Sequence, residues 1–368
     1  MINEYRSKII MTEFNKAGIP DIPEPAVLKH KPKSVEKKSD MDQAVLWLME
    51  GKYVLVEDEY STGLRLLSEL KKKVFGKQMK ENFKKYRDQR SAYHFFSNNL
   101  LTPIKAGEVG LDKSPEIGWL ERFYPEKAEI YLSFPQLQGL NSSWQWYING
   151  IKYPVLSEKL HPYYGTYFPT RFDHLLLFES WLKQQNSKIN LAIDMGAGCG
   201  ILSFQMLNHG VQAVIASDIN PNALLSIRED MDRMNIDSSK MKTIQSDLFQ
   251  KINDPHDLIV FNPPWLPVKS NGEGLDDAIY YRPGFFDRFF SEAYDHLKPE
   301  GRIVLLFSNL AQVEGYHDEH PVISELALNN RFKKVDLIKR KAAQKSKKTK
   351  RRDHRKKEYI ELWELRRH

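Results

Sequence analysis

Two short segments of this 368-residue chain hold residue types whose spacing can do chemistry. In the first, an apolar run ends in Asp194, and Gly196, Ala197, Gly198 and Gly200 follow. Glycines between a strand and a helix allow a tight turn and let a ligand lie against bare backbone. In the second, the apolar run 258–261 passes into Asn262-Pro263-Pro264-Trp265. Two prolines cannot continue a central strand, so the chain must turn where a sheet's ligand cleft lies. In such a turn the Asn262 side-chain oxygen and the Pro263 carbonyl can both accept from one NH2 group, while Trp265 offers a flat face to a planar one. Drawing on both protons localises a nitrogen lone pair that a ring or carbonyl would otherwise delocalise, and so makes that nitrogen a nucleophile.

Two further carboxylates stand where a nucleoside would need them. Asp218 ends the next apolar run, Ala-Val-Ile-Ala-Ser-Asp, with Ile219 beside it, and there it can accept from both hydroxyls of a ribose. Asp247, followed by Leu248 and Phe249, is expected at the end of the third strand, placed to accept from an adenine amino group. The plainer readings are a tight turn for the glycines and helix capping for the two acids. The glycines are spaced G-x-G-x-G and not G-x-G-x-x-G, which argues against a nicotinamide-dependent oxidoreductase. Cys199, the only cysteine, excludes an internal disulfide and a cysteine-built zinc site, and reads as a small residue in a turn.

The elements that must position these residues alternate beyond residue 170. Apolar periodicity predicts helix 172–185, strand 191–194, helix 200–209, strand 212–217, helix 221–235, strands 243–246 and 257–261, helix 284–298, strand 302–308, a helix near 321–329, and strands 333–340 and 358–366. Such alternation builds an α/β fold, a Rossmann-like parallel sheet covered on both faces, with ligands at the carboxyl ends of its strands. The last two strands have no helix between them and so should close the sheet as an antiparallel hairpin. Upstream, residues 1–40 are rich in Pro and Lys and read as an extended lead-in, and 41–125 as a smaller, mainly helical domain for substrate recognition. Residues 126–170 read as a connector, with Asn149-Gly150 as the two-residue turn of a β-hairpin whose Trp144, Trp146 and Tyr147 either stack on bases or fill its packed face.

Charge is concentrated in one place. The chain carries 55 Lys and Arg against 48 Asp and Glu, yet residues 339–357 alone hold 12 basic residues and one acid, a net +11. The remainder is therefore slightly acidic. This run falls in the loop of the closing hairpin, and it reads as a phosphate-binding arm for nucleic acid, RNA before DNA, or else as a solvated insertion. No run of apolar residues is long enough to span a membrane and the N-terminal residues lack the build of a signal peptide, so the expected place is the cytoplasm, with no membrane partner.

Residues 165–308 resemble the class I S-adenosylmethionine-dependent methyltransferases, within them the branch with an Asn-Pro-Pro-aromatic motif. That branch holds N6-adenine methyltransferases of DNA and RNA and N5-glutamine methyltransferases of release factors and ribosomal proteins. The resemblance rests on Asp194 to Gly200, Ser217-Asp218-Ile219, Ser246-Asp247-Leu248-Phe249, Leu258 to Pro267, Leu297 to Gly301 as a turn before the fifth strand, and Arg340 to Ala343 with Tyr359 to Leu362 as the closing hairpin. Thr170-Arg171-Phe172-Asp173 stands where the family has an acidic-Thr pair, and no role is carried onto it. The resemblance implies S-adenosyl-L-methionine as cofactor, held by Asp194, Gly196, Ala197, Gly198, Gly200, Asp218, Ile219, Asp247, Leu248 and Asn262, with Asn262, Pro263, Pro264 and Trp265 as the catalytic turn. No metal is required for an in-line displacement at a sulfonium. The basic loop favours N6 of adenine as the target nitrogen. The alternative is N5 of glutamine in a ribosomal or release-factor protein, and a small-molecule amine or a binding protein without turnover stand behind both.

Overall fold

The structure, a computed structural model, describes residues 20–76, 83–125, 129–268, 278–316, 320–343 and 357–368. The chain divides into two compact units, Ile22–Ile148 and Asn149–His368 with Met1–Asp21. In the smaller unit β1 (Lys33–Val35), β2 (Val54–Val56) and β3 (Leu100–Lys105) run parallel, and β3 also pairs antiparallel with β4 (Glu108–Val109) and β5 (Glu129–Ser133). Around them lie α1 (Met41–Met49), α2 (Tyr60–Phe75), α3 (Phe83–Ser97), α4 (Gly118–Phe123) and α5 (Phe134–Asn149). Val35, Val54, Val56 and Leu100 from the strands close on Leu48, Leu66, Leu70 and Phe134 from the helices.

The segment 41–125, expected to be mainly helical, also contributes β2, β3 and β4 to a five-stranded sheet; β1 and β2 have three residues each, too few for alternation to show. The lead-in 1–40 contains one of those strands, β1. There is also no hairpin at Asn149-Gly150. Residues 145–149 complete α5, in which Phe134, Leu137, Leu140 and Tyr147 are buried. The β-favouring Trp-Tyr-Ile sequence yields to that burial, and Gly150, at φ 63°, follows the helix end. Trp144 and Tyr147 pack on Trp119, so their rings fill a packed face rather than await a base.

Alternation along the strands sets the larger unit. Its sequence runs through the short pair β6 (Ile151–Lys152) and β7 (Lys159–Leu160), then α6 (Asp173–Leu182), β8 (Leu191–Met195), α7 (Ile201–Asn208), β9 (Ala213–Asp218), α8 (Pro221–Arg233), β10 (Met241–Gln245) and β11 (His256–Phe261). There follow the small pair β12 (Leu266–Pro267) and β13 (Tyr280–Tyr281), α9 (Phe285–Asp295), β14 (Leu297–Ser308), α10 (Leu310–Val313), α11 (Pro321–Leu328), β15 (Phe332–Lys341) and β16 (Tyr359–Arg367). Seven of these strands form one sheet in the order β10-β9-β8-β11-β14-β16-β15, parallel except for β16 against its two neighbours. Ala192, Leu258, Val260, Val304 and Leu306 face α6, α7 and α8, which add Phe178, Trp181, Phe204 and Ile227. Ile193, Ile259, Phe261, Ile303 and Leu305 face the other way, onto Phe286, Phe289 and Phe290 of α9. The fold is Rossmann-like.

The order in which successive strands are added reverses between β8 and β11, which are parallel neighbours. That reversal opens a crevice at their carboxyl ends, where the glycine loop and the Asn-Pro-Pro turn both begin. The expected turn at Leu297–Gly301 proves to lie inside β14: the register jumps from His256 opposite Leu297 to Leu258 opposite Arg302, so the intervening residues bulge from the strand. β15 and β16 form the expected antiparallel hairpin, with Lys341 opposite Tyr359. Most of the basic run between them, 344–356, lies outside the described residues. No helix among the described residues is long and apolar enough to cross a membrane.

Candidate functional site

The glycine loop joins β8 to α7 and is tied on both sides. Gly200 precedes α7 at φ 78°, and Gly198 holds φ 53° with its Cα so placed that a methyl group would come 2.8 Å from the Tyr167 carbonyl oxygen. Only glycine meets both demands at 198. Cys199 N–H donates to that same carbonyl at 3.0 Å, Ala197 N–H to Ser217 O at 2.9 Å, and Gly198 N–H to Asp218 Oδ2 at 2.8 Å. The amides of 197, 198 and 199 are thus engaged within the chain, so the loop is a shaped wall and not a row of free donors. Cys199 is buried and burial pushes its thiol up to about 12, which leaves it inert.

Asp218 ends β9 as expected. Its Oδ1 accepts from Asn220 N–H at 2.9 Å, while Asn220 itself caps α8. Burial raises its pKa against these hydrogen bonds. Each oxygen carries one backbone hydrogen bond and keeps a second lone pair, enough for two vicinal hydroxyls. Asp194 is fully buried, and its Oδ2 accepts from both the backbone N–H and the hydroxyl of Ser203, at 2.9 and 2.6 Å. It therefore fastens the first turn of α7 to the end of β8. Burial raises its carboxyl to about 7.

Three buried oxygens without hydrogen-bond partners gather at these strand ends: Asp194 Oδ1, Ser217 Oγ and Asn262 Oδ1. Met195 lies opposite both Ser217 and Phe261, and Val260, two residues before Asn262, lies opposite Asp194. Buried polar atoms are nearly always paired, so such a cluster calls for a polar ligand. The sequence placed Ser217 in the motif Ser217-Asp218-Ile219 but gave it no role of its own.

The turn after β11 is fixed at its far end. Trp265 Nε1 donates to Leu306 O of β14 at 3.2 Å, and its ring meets the ring of His174 at 5.9 Å between centroids and 90° between planes. His174, in the first turn of α6, is 3% exposed, its Nδ1 has no partner, and burial lowers its pKa to about 4. It is a neutral ring against the indole. Nothing in the sequence marked it, because a histidine in an amphipathic helix reads as one more surface residue.

Asp247 differs from expectation. β10 ends at Gln245, and Asp247 lies beyond it in a turn where its carboxylate takes a two-point ion pair from Arg288 of α9, Nη1 to Oδ2 at 2.9 Å and Nη2 to Oδ1. That pair joins the turn to α9. Leu248 next to it is buried at φ 47°, in the left-handed region, and Ile219 is 64% exposed beside Asp218.

These features together fit a nucleoside carrying a charged amino-acid tail: a hydroxyl-accepting carboxylate at Asp218, a glycine wall that a side chain would fill, and buried acceptors at Asp194 and Asn262. Comparison with known proteins agrees. The methyltransferase small domain family matches residues 174–345. A putative protein N5-glutamine methyltransferase of Methanocaldococcus jannaschii is 31% identical over 170 residues, which are 44% of this chain and 79% of that protein. A release factor glutamine methyltransferase of Lactococcus lactis is 30% identical over 33% of this chain, and the chain spans about half of that relative, 48%. A ribosomal RNA small subunit methyltransferase C of Alcanivorax borkumensis is 25% identical over 64% of this chain and 69% of its own length.

Proposed function

The chain belongs to the class I S-adenosylmethionine-dependent methyltransferases, and from that premise we propose that it methylates the side-chain carboxamide nitrogen of a glutamine in a protein of the translation machinery. The observation that carries the choice of nitrogen is the buried, unpartnered Oδ1 of Asn262 at a Pro-Pro turn beside the glycine loop. S-adenosyl-L-methionine supplies a methyl group on a sulfonium, activated for displacement. The chain's own residues supply position. Asn262 Oδ1 and the Pro263 carbonyl accept the two N–H bonds of the target, hold its plane and aim its lone pair at the methyl carbon. Trp265 backs the planar amide. Asp218 would hold the ribose, Asp194 Oδ1 would take the ammonium of the tail, and the Gly196–Gly200 wall leaves both room to approach. Leu248 and Ile219 would line the base, while the Asp247–Arg288 pair holds the turn that carries Leu248 to α9.

Glutamine is favoured over adenine because the relative at 31% identity, matched along 79% of its length, is named for glutamine N5 methylation, whereas the ribosomal RNA methyltransferase is matched at 25%. The second reading, N6 of adenine in RNA, is favoured by the +11 run in the closing hairpin. Tritium transfer from labelled cofactor to a ribosome and release-factor fraction, followed by mass spectrometry of tryptic peptides and of nucleosides, separates them. Label on glutamine is expected, label on N6-methyladenosine transfers the proposal to the second reading, and label on neither overturns both. In the same assay, at saturating cofactor, Asn262→Ala should lose on the order of 100-fold in turnover, a loss that further added cofactor does not restore.

A further inference from the structure

We propose that His174 is a positioning residue for the methyl transfer, one that fixes the plane of the Trp265 indole against the target. This rests on the reading of Trp265 as the wall behind the planar NH2 group. A stacking wall works only if it is stationary, because a ring free to rock about its side-chain torsions loses the alignment that orients the target nitrogen. Trp265 is partly buried against the clusters on both faces of the sheet, and two directional contacts fix its ring. The hydrogen bond from Nε1 to Leu306 O fixes where the edge of the indole points. The perpendicular contact with His174, 5.9 Å between centroids, blocks the swing that one hydrogen bond leaves open.

His174 is suited to this because it is buried at an anchored helix start. It sits in the first turn of α6, flanked by residues tied to the hairpin: Asp173 accepts from Ala343 N–H at 3.1 Å, and Arg171 donates to the buried Glu358 at 2.6 Å. The histidine ring is buried, and it stays uncharged at neutral pH, so it acts as an aromatic wall.

The test uses the full-length enzyme labelled with 5-fluorotryptophan, the Trp265 resonance being assigned by its loss in Trp265→Phe. In His174→Ala the Trp265 line should shift or split, transfer of label to the ribosome and release-factor fraction should fall about tenfold, and affinity for S-adenosylhomocysteine should stay within about twofold of wild type. His174→Phe, which restores a ring, should recover most of the transfer. If the alanine variant does not fold, His174→Gln, which keeps the bulk without the ring, gives the same comparison. An unmoved Trp265 line with unchanged transfer in the ring-less variants overturns the inference. If Trp265→Ala itself retains transfer, the reading of Trp265 as a target wall fails instead, and the fluorine line still reports whether His174 holds the indole.

Discussion

Asp194 shows how one side chain ties function to stability. In an unfolded chain its carboxyl ionises near the ordinary 3.8, whereas burial in the fold raises it to about 7. Between those values the unfolded chain releases a proton that the folded protein keeps, so folding is penalised progressively as pH rises, by about 1.4 kcal/mol per unit, and no further above about 7. Asp194→Asn removes this penalty. Its stability relative to wild type should therefore improve from pH 4.5 to pH 7.5 in chemical denaturation, and a pH-independent difference would remove the buried charge from the account. His174 works in the opposite direction: its depressed pKa of about 4 means stability is lost as pH falls below the ordinary 6.5. His174→Phe should resist mild acid better than wild type, measured by the same denaturation series at pH 5.

At the scale of elements, the glycine loop is where backbone and ligand requirements coincide. Gly198 takes a left-handed conformation, and an added Cβ would press on the backbone oxygen of Tyr167, which has no flexible end to yield. Gly198→Ala should destabilise the protein by about 1–3 kcal/mol and weaken S-adenosylhomocysteine binding measured by calorimetry, since the Cys199 hydrogen bond to Tyr167 depends on the same approach. A variant with wild-type stability and affinity would mean that the loop relaxes freely. The ends of the closing hairpin are also tied to the site through Arg171–Glu358 and Asp173–Ala343, just before His174.

For the whole molecule, the uneven charge defines the partner question. A hairpin loop that grips phosphates should make RNA binding fall steeply with salt, each contact adding a log–log slope of roughly −0.7 to −0.9. Deleting Lys345–Lys357 should flatten that slope and leave cofactor affinity intact, because none of the residues proposed to hold the cofactor belongs to the deleted segment. Salt-independent binding would leave the loop a solvated insertion. Under the glutamine reading such a loop anchors the enzyme to RNA near its protein target, and under the adenine reading it holds the substrate itself.

The sequence by itself determined the larger unit. Apolar runs at 191–194, 212–217 and 257–261 placed three strands, Gly196 to Gly200 and Asn262 to Trp265 marked the ends of the first and the last, and the lack of a helix between 340 and 358 foretold the antiparallel close. These are local signals, because period, glycine and proline act through their own backbone. What only the tertiary structure decided depends on residues far apart in the chain. Asp247 pairs with Arg288 instead of standing free, His174 meets Trp265, and Ser217 joins Asp194 and Asn262 as an unpartnered acceptor, none of which a spacing can reveal. The same holds for Trp144 to Ile148, whose β preference was real but weaker than the burial of Leu140 and Tyr147 on one face of α5.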